Sequence, residues 1–236
     1  MASPRVLAHR GARRVAPENT VEAFVAAAAL GADGVELDVH RTGDGGLVVH
    51  HDAKARGIGV LAEHSAAEIR AARPELPTLE EALEACLGML VNIEVKNLPG
   101  DADYDATDSV AGAVVELLAS RDRRDEVLVS SFNLTSADRV LALDGSIATG
   151  FLTAVGFDPV DGVEVAHGHG HGAVHPNVRS LAGDAAGVTV ARAHELGMAV
   201  NVWTVNDEDE LRRLAAAAVD AVITDVPDLA VEVLSA

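Results

Sequence analysis

Aromatic rings are nearly missing from this 236-residue chain: Phe, Tyr and Trp together make up 3% of it, and Trp203 is the single tryptophan. A core must therefore be built from Ala, Val and Leu, and a hydrophobic content of 49% supplies enough of them. Cysteine is down to one residue, Cys86, which can form no internal disulfide, so a disulfide-stapled scaffold is excluded. No apolar run reaches the ~18 to 20 residues needed to cross a bilayer, and MASPRVLAHRG lacks a basic stretch followed by an apolar signal core. These absences predict a cytoplasmic protein without stable membrane insertion. Basic residues are scarce too. Eighteen stand against 37 acidic ones, a formal charge of −19, which argues against nucleic acid or an anionic membrane as a partner. An anionic small molecule would bind only where Arg, Lys or a metal reverses that field locally.

What is present is a regular alternation. Short β-branched runs lie at 5–11, 34–40, 47–52, 90–97, 126–132, 147–153, 172–176, 199–204 and 221–225. Between them come stretches of helical period at 20–32, 78–88, 105–120, 133–145, 183–197 and 207–219. Thr20 is placed to cap the first of these, and several end on Gly. Taking the third run as a returning extension of the second leaves eight βα steps, which fits a (β/α)8 barrel. With no composition break or long linker, the chain reads as a single domain over 1–236, with only a short insertion after the second strand. An open doubly wound sheet is the runner-up, but no Gly-rich phosphate loop follows the first strand.

Polar residues interrupt this pattern where a core has no use for them. Residues 34–53 read GVELDVHRTGDGGLVVHHDA. Side chains two apart on a strand point the same way, so Glu36 and Asp38 share a face, as do Glu94 and Lys96. His9 ends the first strand. In a barrel these residues gather at the C-terminal mouth, and three buried carboxylates converging there need a cation. Carboxylate ligation selects a hard ion, Mg²⁺ or Ca²⁺, with Mn²⁺ as a further candidate. His9 and His51 are placed for proton transfer near neutral pH; His50 alternates with His51 and reads as structural. A metal, two histidines, Arg10 and Lys96 together suit acid–base cleavage of a phosphodiester.

These residues resemble the glycerophosphodiester phosphodiesterase family. The opening HRGARRVAPENTVEAFVAAAALGADGVELDVHRTGDGGLVVHHD (9–52) is similar to its signature of His-Arg-Gly, Pro-Glu-Asn-Thr, Gly-Ala-Asp before Glu-x-Asp, and His-Asp. LPTLEEAL (76–83), NIEVKN (92–97), VNVWTVND (200–207) and AVITDVPD (221–228) resemble its later landmarks. The resemblance implies a barrel enzyme that hydrolyses small-molecule glycerophosphodiesters to glycerol 3-phosphate and an alcohol. It implies Glu36, Asp38 and Glu94 as metal ligands and His9 and His51 as the catalytic pair. It further implies Arg10 and Lys96 against the phosphate, Glu18 near the glycerol, and Trp203 as an aromatic wall. Water and the glycerol 2-hydroxyl both remain open as nucleophile, and neither histidine is assigned acid or base.

Some features depart from that pattern. AKARGIGVLAEHSAAEIR follows His51-Asp52 where the family commonly has Arg-Thr-Thr, and only about 25 residues separate His51 from Pro77, so the cap over the site is short and the mouth open. HGHGHGAVH (167–175) suits a second transition-metal site, but its glycines favour a mobile loop, with His171 or His175 as possible substrate contacts. Arg13 and Arg14 read as surface residues. Asp225 reads either as orienting a neighbour or as capping the next helix. Ser130 and Ser131 lack a nucleophile elbow. The rival functions are a barrel that enolises a carboxylate substrate, a lysophospholipase D-type phosphodiesterase acting on lipids, and a non-catalytic metal- and phosphate-binding barrel.

Overall fold

The computed structural model describes residues 3–121 and 126–235. Of the expected unit 1–236, residues 1–2, 122–125 and 236 lie outside the described ones. The first half runs β1 (Arg5–His9), α1 (Val21–Ala29), β2 (Gly34–Arg41), β3 (Leu47–Val49), β4 (Lys54–Ala55), β5 (Gly59–Val60), α2 (Ala66–Ala72), α3 (Leu79–Ala85), β6 (Leu90–Val95) and α4 (Ser109–Arg121). The second runs β7 (Val127–Ser131), α5 (Leu134–Leu143), β8 (Ala148–Thr153), α6 (Pro159–Gly168), β9 (Ala173–Pro176), α7 (Ala185–Glu195), β10 (Ala199–Val202), α8 (Glu208–Ala216), β11 (Ala221–Thr224) and α9 (Pro227–Ser235).

Among the described residues, eight of these strands pair in parallel in the cyclic order β1, β2, β6, β7, β8, β9, β10, β11, and β11 returns to β1. This is the expected (β/α)8 barrel. β3 turns back antiparallel on β2, as the merged second and third runs anticipate. Strands covered on both faces read as continuous apolar runs, and β2 is buried from Gly34 through His40. Aliphatic side chains fill the space between strands and helices, with α1 and α3–α5 around one group that includes Phe24, Leu37 and Ile93, and α6–α9 around another that includes Val174, Leu211 and Val222.

The helices start where the sequence offers a cap. The Thr20 hydroxyl accepts from Ala23 N, and Thr78 closes a capping box with Glu81 at α3. The sequence also conceals elements. α6 starts at an Asp158 cap with Pro159 in its first turn and runs through the glycines of VDGVEVAHG, so His167 lies in a helix rather than a loop. α2 and the β4–β5 hairpin form the insertion after β3, and Ala55, Leu61, Ile69 and Leu76 give it a small apolar core of its own against Val48. α4 begins at Ser109, not Asp105. The Asp105 carboxylate instead accepts from the backbone and hydroxyl groups of Thr107 and Ser109 just ahead of the helix.

Closure depends on Gly34, at the start of β2 beside Leu7 and Leu90. A Cβ there would sit 2.2 Å from the Leu90 carbonyl oxygen and 2.6 Å from Leu7 Cδ2, and the carbonyl belongs to the backbone and cannot swing away. Gly34→Ala is therefore expected to destabilise the fold by ~1–3 kcal/mol, as overpacking does. Urea and thermal unfolding read this directly; an unchanged midpoint would mean that β2 has room the geometry denies it.

Candidate active site

Strand register assembles the site. Parallel pairing sets His9 beside Glu36, Glu36 beside Asn92 and Asp38 beside Glu94. With side chains alternating along each strand, His9, Glu36, Asp38, Asn92 and Glu94 then point to the barrel interior at its C-terminal end. A cavity of about 190 Å³ opens there, lined by His9, Arg10, Glu36, His51, Glu94, Lys96, Phe132 and Trp203 among others. A second, of about 300 Å³, adjoins it and shares His51, Glu94, Lys96 and Phe132. No residue of the insertion 54–76 lines either cavity.

Glu36, Asp38 and Glu94 are buried, and each offers an oxygen within 4.8 Å of the others. Two fixed cations meet them. Lys96 Nζ lies 2.7 Å from Glu94 Oε1 and 3.2 Å from Asp38 Oδ1; Arg10 Nε lies 3.2 Å from Asp38 Oδ2 while its Nη1 donates to Glu18 at 3.0 Å. Burial alone would raise Asp38, but Lys96 and Arg10 override it and hold the carboxyl below the usual aspartate range. Burial likewise opposes charge on Lys96, and Glu94 and Asp38 outweigh it, so the ammonium is held charged. Glu36 has no such partner. Its Oε2 accepts from Arg10 N at 3.2 Å and stands 3.9 Å from His9 Nε2. Burial first, then the neighbouring Asp38 and Glu94, push Glu36 well above the ordinary glutamate range. Burial raises Glu94 too, with Lys96 opposing. The cluster is short of positive charge, and a hard divalent cation fits its all-carboxylate donor set.

Both histidines stand at its edge. His9 Nδ1 is 2.7 Å from Asp225 Oδ1, which turns Nε2 towards Glu36. Burial works against the Asp225 charge, but His9, the Asn206 amide at 2.7 Å and Arg13 lower its pKa to about 2, so it is an ionised acceptor at neutral pH. His51 Nδ1 lies 2.7 Å from Asp52 Oδ1, and burial, with Lys96 and Arg10 nearby, shifts the ring towards its neutral form despite Asp38. All nine sequence-derived site residues are thus brought together: Glu18 through Arg10, and Trp203 by its place in the cavity wall, where its indole Nε1 donates to the His175 carbonyl at 2.9 Å.

Sequence reasoning missed several neighbours. Asn19, buried and held at φ +57°, donates to Asp38 Oδ2 at 2.8 Å; asparagine's tolerance of that backbone region, in the Pro-Glu-Asn-Thr turn, is a readable signal. His40 is buried, with Nδ1 2.6 Å from Asp103 Oδ2 and Nε2 3.2 Å from the His51 carbonyl, so it braces the segment that carries His51. Phe132 meets Trp203 edge-on with centroids 5.3 Å apart. Asp225 orients a neighbour, His9. Arg13 is not a bystander, since it pairs with Glu18 at 2.5 Å and reaches Asp225 at 3.4 Å. The 167–175 segment is also corrected. Its backbone is hydrogen-bonded through His169, Gly170 and His171, and both His171 and His175 are buried and absent from the cavity walls.

A model of the glycerophosphoryl diester phosphodiesterase family matches residues 9–229. A glycerophosphodiester phosphodiesterase of Caldanaerobacter subterraneus subsp. tengcongensis is 31% identical over 240 residues, 94% of each chain. One from Bacillus altitudinis is 31% identical over 255 residues, 97% of each chain. Among solved structures, an Oleispira antarctica phosphodiesterase in complex with the product sn-glycerol-3-phosphate superposes with a TM-score of 0.85 at 28% identity, covering 99% of this chain and 98% of that one.

The carboxylate crowding predicts a trade of stability for binding. A buried acid whose folded pKa lies above its unfolded value loses stability as pH rises through that interval. Glu36→Gln removes this loss, so the cation-free variant is expected to melt above cation-free wild type at slightly alkaline pH. Adding Mg²⁺ or Ca²⁺ should raise the wild-type Tm and leave the variant's nearly unchanged. Differential scanning calorimetry with and without EDTA decides it; a variant that melts lower in EDTA contradicts the charge-crowding account.

Proposed function

The chain belongs to the glycerophosphoryl diester phosphodiesterase family, a phosphodiester hydrolase on a (β/α)8 barrel, and on that footing we propose that it releases glycerol 3-phosphate and an alcohol from substrates such as glycerophosphocholine and glycerophosphoethanolamine. The observation that carries this reading is the pair His9 and His51 flanking one carboxylate cluster in a single cavity. The whole span 1–236 would act as one catalytic domain, working in the cytoplasm, where a lone thiol such as Cys86 stays reduced. Among the described residues no helix is long and apolar enough to cross a membrane.

Glu36, Asp38 and Glu94 would hold the divalent cation, Mg²⁺ or Ca²⁺ with Mn²⁺ as a further candidate. Bound there, it would supply charge neutralisation and polarisation at a phosphoryl oxygen. The rest of the chemistry falls to this chain's side chains. Lys96 and Arg10 face the phosphate; Glu18, tied to Arg10 and Arg13, borders the glycerol end; Trp203 with Phe132 walls the other side. One histidine takes the proton of the attacking hydroxyl as its oxygen bonds to phosphorus. The other gives a proton to the departing alkoxide as the P–O bond to the alcohol breaks. If the attacker is water, glycerol 3-phosphate forms at once. If it is the glycerol 2-hydroxyl, a cyclic phosphate forms and water opens it in a second step with the roles reversed. Asp225 keeps the proton of His9 on Nδ1, so Nε2 is the atom that works in the cavity.

Purified protein incubated with each substrate, with EDTA and then with each divalent ion, should release glycerol 3-phosphate only when metal is restored. His9→Ala and His51→Ala should each lower kcat by about 10²-fold or more. Asp225→Asn should lower kcat less than loss of His9, with KM little changed, because it disturbs the ring's tautomer and not substrate contacts. Full activity in both alanine variants would remove the histidine assignment. Hydrolysis of lysophosphatidylcholine but of neither glycerophosphodiester would move the assignment to the lipid substrate.

A further inference from the structure

The alternating histidines of HGHGHG take no part in the reaction site, yet the fold gives two of them a common partner. Gly170, at φ +84°, turns the chain between His169 and His171, and the two imidazoles stack at 15° with centroids 6.2 Å apart. Both face Asp138 on α5. His169 Nδ1 lies 2.9 Å from Asp138 Oδ2, and His171 Nε2 lies 3.2 Å from Oδ1. We propose that Asp138, His169 and His171 form a second metal site, separate from the carboxylate cluster and suited to a borderline transition cation such as Zn²⁺ or Ni²⁺.

Three observations carry this. The donor set of two imidazoles and one carboxylate is the kind that zinc and nickel take, whereas Mg²⁺ and Ca²⁺ prefer oxygens. The His171 ring is anchored as ligating histidines are: Nδ1 is hydrogen-bonded to Thr149 Oγ1 at 2.9 Å, which fixes the ring and leaves Nε2 as the donor. That Nε2 is buried, has no partner of hydrogen-bond geometry, and is aimed at the carboxylate. Of the two nitrogen-to-oxygen separations, the 3.2 Å from His171 is that of a ligand edge, about 3.2–3.4 Å when metal–ligand bonds are ~2.0–2.1 Å, while the 2.9 Å from His169 is a hydrogen bond that a metal would replace. The third edge, between the imidazole nitrogens, is too long for one ligand sphere as it stands, so binding would require the half-exposed His169 ring to swing out of its hydrogen bonds with Asp138. Remaining positions would open to solvent.

The site would join α5 to the α6–β9 connection, beside Thr149 at the start of β8 and so at the N-terminal end of the barrel, opposite the reaction cavity. Its role is that of a staple, and it goes beyond the phosphodiesterase reading without resting on it. Imidazole ligands must be unprotonated, so affinity should fall as pH drops below the usual histidine range.

Isothermal titration calorimetry with Zn²⁺, on the full chain with the carboxylate cluster saturated by excess Mg²⁺, tests the site. One equivalent is expected, with a rise in Tm. Co²⁺ in the same protocol should give visible d–d absorption of a low-coordinate nitrogen–oxygen site. His169→Ala and Asp138→Asn, both partly exposed positions, should keep the fold by circular dichroism and the Mg²⁺-supported hydrolysis rate, yet lose the zinc equivalent and the cobalt band. Absence of a stoichiometric zinc isotherm overturns the proposal, and so does one that survives both substitutions. Loss of hydrolysis with zinc binding intact would instead fault the function reading.

Discussion

Everything at the mouth of this barrel depends on three buried carboxylates packed together with too little positive charge beside them. Parallel register puts Glu36, Asp38 and Glu94 within one ligand sphere, and Lys96 and Arg10 answer only part of their charge. Asp38 takes both cations, Glu94 takes the ammonium, and Glu36 is left with a backbone amide and the edge of His9. Such an arrangement is poor for stability and good for binding a cation, because the repulsion built into the folded chain is released on ligation. The barrel tolerates it because the closed sheet and two aliphatic shells around it are formed elsewhere, away from the mouth.

Around this centre lies a layer of residues whose task is orientation. Asn19 and Arg10 both hold a left-handed backbone, at φ +57° and +58°, and both address Asp38. Their loops are bonded to each other through Asn19 N and the Arg10 carbonyl. Strain of this kind persists only where the surroundings over-determine it, and here two loops and two strands do so. Asp225 with Asn206 fixes His9, while His40 with Asp103 braces the backbone of His51. The His9 ring is therefore set by a group far from it in sequence, whereas the His51 ring bonds its neighbour Asp52 and only its carbonyl is held from a distance.

That distance explains what the sequence discloses and what it hides. Glu36, Asp38, Glu94 and Lys96 are legible because strand alternation is local: two residues apart means one face. The eight steps are legible for the same reason, since β-branched runs and helical periods are patterns of near neighbours. His40 shares the face of Glu36 and Asp38 by the same alternation, but its partner Asp103 is 63 residues on, and Asp225 is 216 residues from His9. No periodicity reports a pairing across such spans. α6 misleads for another reason. Its glycines lower helix propensity, and tertiary packing of Val163 and Ala166 overrides them.

The charge of the whole molecule bears on the proposed reaction in a way the site alone does not. At −19 the surface repels anions, while the mouth holds Arg10, Arg13 and Lys96 close to where a phosphate would sit. A glycerophosphocholine or glycerophosphoethanolamine carries a phosphate and an ammonium and is neutral overall, so the far field neither attracts nor repels it, and short-range contacts govern its capture. Hydrolysis separates the two charges. In the proposed reaction glycerol 3-phosphate would leave as a dianion, driven outward by the negative field, and choline or ethanolamine would leave as a cation near Asp52 and Asp101 of the adjoining cavity. The acidity that counts against an anionic substrate would thus oppose rebinding of the anionic product, from cavities that no residue of the insertion 54–76 lines.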